Sequence, residues 1–179
     1  MTSTDSPAPS FTRRVPEGDD LERNVCTRCG YIAYENPKIV TGSVATDGKG
    51  HLLLCRRAIE PRKGFWTLPA GYMELGETVE QAARREAWEE ARADLELDQV
   101  LAIYSVPRIS QVQVMFRARL LNPGSVEAGP ESAEVRLVTW EDIPWSELAF
   151  PTVYWALNHH RDVVGTTTFP PFSNPPDGV

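Results

Sequence analysis

The 179-residue sequence has no apolar run approaching the ~18 residues that a membrane-spanning helix needs, so it predicts no membrane partner. Its first ten residues contain neither a basic start nor an apolar stretch, which argues against a secretory signal. Basic residues are in the minority, because 18 Lys and Arg face 25 Asp and Glu and the net charge is −7. Such an acidic chain is poorly suited to polyanions, so we expect no nucleic-acid partner. The lack of a recognisable signal and the small number of cysteines predict a cytoplasmic protein.

Cysteine and histidine are also scarce, with three residues of each. Three cysteines do not form a disulfide framework. Cys26 and Cys29 form a C-x-x-C-G pattern, which is typical of a zinc knuckle, but structural zinc takes four ligands and no second C-x-x-C exists. Three interpretations stay open: zinc bound within one chain, a metal-free knuckle that packs on the domain, or two C-x-x-C units paired across a dimer.

Acidic residues are concentrated in residues 71–93, GYMELGETVEQAARREAWEEARA. Thr78 and Gln81 form a capping-box pattern, which predicts a helix beginning near Val79. Three carboxylates then share one helix face: Glu86, Glu89 and Glu90. Like charges at these spacings destabilise an isolated helix by about 0.2–0.5 kcal/mol per pair. Because Mg²⁺ prefers carboxylate oxygens together with substrate phosphate, we interpret this face as a metal site rather than a solvated acidic surface.

The residues around this face support that interpretation. Arg85 lies next to the first acid and four residues before the second, so it can orient a carboxylate. Glu77 lies just before the predicted cap, where the chain can fold it back toward the helix. Gly71 and Gly76 bracket the preceding loop, which favours a tight turn close to a ligand.

Together these residues resemble the Nudix box, G-x5-E-x7-R-E-U-x-E-E-x-G-U with U apolar. Every charged position is in register, and the second glycine is replaced by Arg92. The resemblance implies a divalent-metal hydrolase in which Arg85 holds an acid by a salt bridge, Glu77 supports the cluster, and Glu89 and Glu90 take part in catalysis. The metal ligands that it implies are Gly71, Glu86, Glu89 and Glu90, with Mg²⁺ or Mn²⁺ as the cofactor.

Alternating and β-branched runs predict strands on both sides of the box. The predicted strands are Ile39–Thr46, His51–Arg57, Leu95–Val106, Gln111–Leu120 and Val135–Trp140. A second helix is expected at about Thr152–Arg161, and Trp66 is expected in the core. Hairpin signals with two helices indicate an α+β fold with a mixed sheet. The resemblance implies the Nudix α/β/α sandwich.

The expected organisation has four parts. Residues 1–22 are Ser/Thr/Pro-rich and predicted to be disordered, and residues 162–179 form a Pro-rich tail. Residues 23–37 resemble part of the zinc ribbon that precedes the domain in NADH and FAD pyrophosphatase relatives, and residues 38–161 form the Nudix domain. The stretches CTRCGYIAYENPKIV and RRAIEPRKGFWTLPAGYMELGE resemble the ADP-ribose/FAD pyrophosphatase group. The SQPWPFPxS signature of NADH pyrophosphatases is missing after the box, which weakens the case for NADH.

Two further groups of residues could serve the reaction. A basic patch of Arg56, Arg57 and Arg62 could contact a diphosphate. The resemblance to Nudix enzymes of the ADP-ribose type implies that Glu134 or Glu131, in a loop before a strand, joins the metals or acts as base. We therefore expect hydrolysis of a nucleoside diphosphate linked to another moiety, with ADP-ribose or FAD favoured. The alternatives are a nucleotide-sensing Nudix domain and a zinc-knuckle RNA-binding module. A homodimer is expected from related ADP-ribose hydrolases.

Overall fold

The structure, a computed structural model, describes residues 10–176. The chain divides into two compact units, Met1–Asn36 and Pro37–Val179. Among the described residues, no helix has both the length and the apolar character that crossing a membrane requires.

The first unit contains a three-stranded antiparallel sheet of β1 (Phe11–Arg14), β2 (Arg23–Cys26) and β3 (Ile32–Ala33), in the order β1-β2-β3. Strand β1 lies inside the stretch that the composition predicted to be disordered. Its four residues pair with β2 along their whole length, and this pairing satisfies their backbone hydrogen-bonding groups. The composition of β1 alone does not indicate that a pairing strand is present. The remainder of that prediction, residues 1–9, lies outside the described residues.

The second unit is built on a mixed sheet with the strand order β10-β5-β4-β9-β8. Its long strands are β4 (Lys38–Thr46), β5 (Leu52–Arg57), β8 (Leu95–Val106), β9 (Gln111–Leu120) and β10 (Ser132–Val138). Two short strands, β6 (Trp66–Thr67) and β7 (Ala70–Tyr72), pair with β5 and β4. Strands β4 and β9 run parallel and the other pairs are antiparallel, so the predicted mixed sheet is confirmed.

Two helices cover the sheet. Helix α1 (Val79–Ala91) begins at the predicted capping box, in which Thr78 accepts a hydrogen bond from the Gln81 amide and Gln81 accepts one from the Thr78 amide. Helix α2 (Pro151–Asp162) begins with a proline, whose missing N–H costs nothing in the first turn.

The strand periodicity divides the core into two layers. In β5, Leu53 and Cys55 pack with Ala87 and other small residues of α1. Leu52 and Leu54 belong to a second cluster with the buried residues of α2, which include Leu157. Successive side chains of a strand point to opposite faces, so one strand supplies both layers. The two layers and the sheet between them form the expected α/β/α sandwich.

The segment after α2 is ordered along the edge strand rather than free. The Phe172 amide donates to the Leu101 carbonyl at 2.9 Å, and the Ile103 amide donates to the Phe172 carbonyl at 2.9 Å. The Phe172 ring stacks on His159 with centroids 4.2 Å apart. These contacts hold the Pro-rich tail against β8, and they explain how an extended segment without regular structure stays in one place.

Candidate active site

A cleft of about 1260 Å³ opens beside the acidic face of α1. Its walls come from β7, from α1, from the turn Pro107–Ile109 that follows β8, and from the loop that precedes β10. All three predicted carboxylates of the box line it: Glu86, Glu89 and Glu90. The local sequence brings them together because one helix face carries all three.

Arg85 is the centre of the ion-pair network at this face. Its Nε donates to Glu77 Oε1 at 2.6 Å and its Nη2 donates to Glu77 Oε2 at 3.0 Å, a two-point contact that closes the preceding loop onto the helix. Its Nη1 donates both to Glu86 at 2.7 Å and to Glu89 at 3.0 Å. Hydrogen bonding to Arg85 lowers the pKa of Glu77 to about 2. Arg85 therefore contacts three acids: Glu77, Glu86 and Glu89.

Glu86 and Glu90 are buried charges at the bottom of this cleft. Their exposed fractions are only 9% and 6%. Burial raises the pKa of Glu90 to about 8, although a hydrogen bond from the Ala70 amide at 3.3 Å opposes that shift. Burial also raises the pKa of Glu86, although Arg85 opposes that shift. Two carboxylates so close together and so poorly solvated are expected to gain from a nearby cation.

The donors at this face fit a hard divalent cation. Carboxylate oxygens are the ligands that Mg²⁺ and Mn²⁺ prefer, and Gly71 lies so close to Glu86 that a Cβ at that position would collide with the Glu86 carboxylate. Among the described residues, no three His, Cys, Asp or Glu side chains already converge in a metal-binding group. The carboxylates of Glu86 and Glu89 both contact Arg85 Nη1, so the guanidinium lies where these two acids would otherwise converge.

The loop before β10 is docked on the last turn of α1. The Glu127 amide donates to the Ala91 carbonyl and the Gly129 amide donates to the Glu90 carbonyl, both at 3.0 Å. Gly129 has no room for a side chain, because a Cβ would collide with the Glu89 carbonyl. This docking brings Glu131 to the cleft, where its charge contributes to the raised pKa values of Glu86 and Glu90.

Glu134, which was predicted alongside Glu131 as a catalytic candidate, does not line the cleft. It is in β10, accepts a hydrogen bond from Arg136 at 2.6 Å and pairs with Arg56 at 3.7 Å. The physical reason is the register of β10, which pairs Glu134 with Arg56 on the neighbouring strand. The choice between the two loop acids therefore falls on Glu131.

Only one of the three predicted phosphate-contacting arginines lines the cleft. Arg57 does so, with its guanidinium over the Phe150 ring and its Nε donating to the Pro61 carbonyl at 2.8 Å. Arg56 donates to the Gly64 carbonyl, and Arg62 lies over Phe65. Both point to local contacts outside the cleft because the loop between β5 and β6 turns back on itself.

Several cleft residues were not among those predicted from the sequence. Arg108 lies in the turn after β8. The aromatic residues Phe150 and Trp155 come from the start of α2, far along the chain. Trp66, by contrast, is a core residue as predicted, with an exposed fraction of 3%.

The C-x-x-C pair lies in the first unit, at the turn after β2. Cys26 is buried and Cys29 is exposed. Residues 1–36 contain no histidine and no other cysteine. Two sulfur ligands do not fit a tetrahedral structural zinc site, and the described residues provide no third ligand group beside them.

Comparison with known proteins agrees with the fold and with the acidic face. The NUDIX domain family matches residues 36–156, and the Nudix N-terminal family matches residues 8–35. A curated relative from Methanocaldococcus jannaschii, named ADP-ribose pyrophosphatase, is 33% identical over 78% of this chain and 79% of its own. A protein from Haemophilus influenzae named NAD-capped RNA hydrolase NudC is 41% identical, but over only 36% of this chain and 25% of its own.

A solved structure adds to this agreement. The crystal structure of a Nudix hydrolase from Nitrosomonas europaea superposes with a TM-score of 0.85 and is 40% identical, covering 97% of this chain and 98% of that one. The NUDIX domain match spans more than half of the chain, and it includes the whole acidic helix and the cleft. The chain therefore belongs to the Nudix hydrolase family.

Proposed function

We propose that this protein hydrolyses the diphosphate bond of a nucleoside diphosphate linked to another moiety, with ADP-ribose as the leading substrate, and releases two monophosphates. The observation that carries the proposal is a cleft that contains three box carboxylates, a fourth acid and an arginine: Glu86, Glu89, Glu90, Glu131 and Arg57. Acids and a guanidinium in one cleft suit a substrate that has anionic phosphates and needs a cation between them and the acids.

Glu86, Glu89 and Glu90 would hold Mg²⁺ or Mn²⁺, with the Gly71 carbonyl as a further oxygen donor. Such an ion, when bound, neutralises the charge of the diphosphate and polarises its phosphorus toward attack. Arg85 is a positioning residue, because its contacts fix the directions of Glu86 and Glu89. Glu77 in turn fixes Arg85 by a two-point contact. Partners of this kind typically change metal affinity or activity by about 10–100-fold when they are removed.

Glu131 is the residue that we assign as general base. Its carboxylate is exposed at the cleft, and the docked loop holds it beside the buried acids. A water molecule that attacks phosphorus must lose a proton, and a Glu131 carboxylate oxygen can accept it. The bond between that water oxygen and phosphorus forms as the bridging oxygen leaves with the other phosphate.

Arg57 and Arg108 also line the cleft, where they offer positive charge to the phosphates. A guanidinium can donate two parallel hydrogen bonds to a phosphate. Aromatic and polar groups complete the lining. Phe150 and Trp155 can pack against a planar base, while the Gln111 side chain, hydrogen-bonded to the Tyr72 hydroxyl at 3.0 Å, can meet sugar hydroxyls.

The relative named ADP-ribose pyrophosphatase supports ADP-ribose over the other candidates, because it matches most of both chains. FAD stays a prediction, and so do a homodimer and a cytoplasmic location. Light scattering on the purified full chain would test the homodimer, with a mass of one chain as the contradicting result.

The test is a substrate panel of ADP-ribose, FAD and NAD⁺, each with MgCl₂, with MnCl₂ and with EDTA. Chromatography of the products should show AMP and ribose 5-phosphate from ADP-ribose, with either metal and not with EDTA. Turnover that continues at full rate in EDTA would contradict the metal-dependent mechanism. Tight ADP-ribose binding without turnover would instead favour the nucleotide-sensing alternative.

Glu131→Gln tests the assigned base. We expect kcat to fall by about 10²–10⁴-fold, because a carboxamide cannot accept the proton. Glu127→Gln is the matched control, since Glu127 is an exposed acid on the same loop. Glu134→Gln should resemble that control. A large loss of kcat in Glu134→Gln, with Glu131→Gln unchanged, would reverse the assignment.

A further inference from the structure

The first unit presents a cysteine pair that the proposed reaction does not use. The Nudix N-terminal family match implies a zinc ribbon around this pair, but Cys26 and Cys29 are the only cysteines in residues 1–36. A structural zinc ion needs four ligands, so the residues of the first unit do not fit the zinc site that the family match implies. The two thiols are therefore available for other chemistry.

The turn after β2 holds the two thiols together. The Cys26 amide donates to the Tyr31 carbonyl at 2.8 Å, and the Gly30 amide donates to the Cys26 carbonyl at 3.0 Å. The backbone of Cys29 and Arg28 in this turn favours the thiolate and lowers the pKa of Cys26.

The two thiols differ sharply in their accessibility. Cys26 has an exposed fraction of 5%, whereas Cys29 is exposed. A bulky reagent can therefore reach Cys29 directly, and it is kept away from Cys26. The third cysteine, Cys55, is 1% exposed in the core of the second unit, where burial raises its pKa, so it is expected to be inert.

We propose that Cys26 and Cys29 form a reversible dithiol–disulfide pair, in which exposed Cys29 reacts first with a small-molecule disulfide and buried Cys26 resolves the product. The two cysteines are three positions apart in one hydrogen-bonded turn, so the second step is intramolecular. This site lies outside the Nudix domain match and does not depend on the proposed hydrolysis.

The reaction balances as two thiol–disulfide exchanges. The Cys29 thiolate attacks one sulfur of a disulfide RS–SR, forms a Cys29–SR bond and releases RS⁻. The Cys26 thiolate then attacks the Cys29 sulfur, forms the Cys26–Cys29 bond and releases the second RS⁻. The two cysteines lose two protons and two electrons, and the small-molecule disulfide becomes two thiols.

The experiment treats the full-length protein with glutathione disulfide, quenches it at low pH and measures intact mass. The wild type should become lighter by two hydrogens and carry no glutathione. Cys26→Ser should retain one glutathione on Cys29, because the resolving thiol is gone. Cys29→Ser should react at least about tenfold more slowly, because buried Cys26 is poorly accessible. Cys55→Ser should behave like the wild type.

Three results would overturn the proposal. One is a Cys29→Ser variant that gains glutathione as fast as Cys26→Ser. Another is a wild type that keeps its glutathione or forms disulfide-linked dimers. The third is a purified protein that holds stoichiometric zinc, lost in either cysteine variant, since that would assign the pair to a metal site completed by another copy.

Discussion

The two faces of the central sheet are packed for different purposes. On the α2 face, Leu157 and Ala156 are fully buried and Tyr104 contacts the edge of Trp155 with centroids 5.4 Å apart. On the α1 face, the helix approaches the sheet through alanines and carries buried carboxylates along its side. Alanine contributes little apolar area, while burying a charge opposes folding. The comparison indicates that apolar burial on the α2 face stabilises the fold. This stabilisation offsets the free-energy cost of burying carboxylates on the α1 face.

Glu90→Gln should give the largest effect and should act in opposite directions on activity and stability. We expect kcat to fall on the order of a thousandfold, because a carboxamide is a poor ligand for a hard cation. In EDTA at pH 7, the same variant should be more stable than the wild type by about 1–3 kcal/mol, because folding raises the pKa of Glu90 and must either take up a proton or leave the charge poorly solvated, and glutamine does neither. Kinetics with MgCl₂ and urea unfolding in EDTA would measure both.

Unchanged turnover in Glu90→Gln would remove the buried acids from the mechanism. A variant that is less stable than the wild type in EDTA would show that Glu90 contributes to folding, and it would erase the proposed difference between the faces. Glu127→Gln is again the control, since its side chain is exposed.

Leu157→Ala should affect stability alone. Removing a fully buried leucine from the α2 face should lower the free energy of unfolding by about 2–5 kcal/mol through lost transfer energy and a residual cavity. The kcat of the folded fraction should stay within about twofold, because the α1 face is unaltered. Leu157→Met, which roughly conserves volume, should cost less than about 1.5 kcal/mol. A large loss of kcat in a still-folded Leu157→Ala protein would mean that the two faces are coupled.

The α2 face also contains a buried histidine, His160. Its Nδ1 has no hydrogen-bond partner among the described residues, and burial lowers its pKa to about 4, with Arg117 adding to the shift. The unfolded chain binds this proton near pH 6.5, so the stability contributed by the neutral form is lost as pH falls from about 6.5 toward 4.

His160→Leu should therefore remove part of the acid sensitivity. The free energy of unfolding of the variant, relative to that of the wild type, should rise by about 1–3 kcal/mol as the pH is lowered from about 7 to 4. Urea unfolding at several pH values would measure this change. A stability difference that does not change with pH would show that His160 is not the group responsible.

Most of the α1 face could be predicted from the sequence because its information is local. The capping box fixes where the helix begins, and three glutamates on one helical face must come together. The alternation in residues 111–120 likewise predicted β9 correctly. These features depend on spacing within a single element.

What could not be predicted depends on contacts between elements. Glu131 reaches the cleft, and Glu134 does not, because Gly129 docks on the last turn of α1 and because β10 pairs in one register. Strand β1 forms only because β2 pairs with it. A single sequence does not determine which element a loop or a short strand will contact. Glu131 and Glu134 therefore could not be distinguished until the contacts of the loop and of β10 were known.

Arg92→Gly should give the smallest effect and tests the one departure from the Nudix box. Arg92 ends α1 in the left-handed region with φ of 50°, where a side chain costs roughly 1–2 kcal/mol and glycine does not. Its guanidinium offsets part of that cost by lying over the Trp88 ring and donating to the Trp88 carbonyl at 3.1 Å. Glycine also makes the unfolded chain more flexible, so the net gain in stability should be only about 0.5 kcal/mol.

Arg92→Ala separates the backbone strain from the side-chain contacts, because it keeps the Cβ and loses the guanidinium. It should be the least stable of the three proteins in urea unfolding. If Arg92→Gly were instead less stable than the wild type, the contacts with Trp88 would outweigh the backbone strain, and the arginine would be the better residue at this helix end.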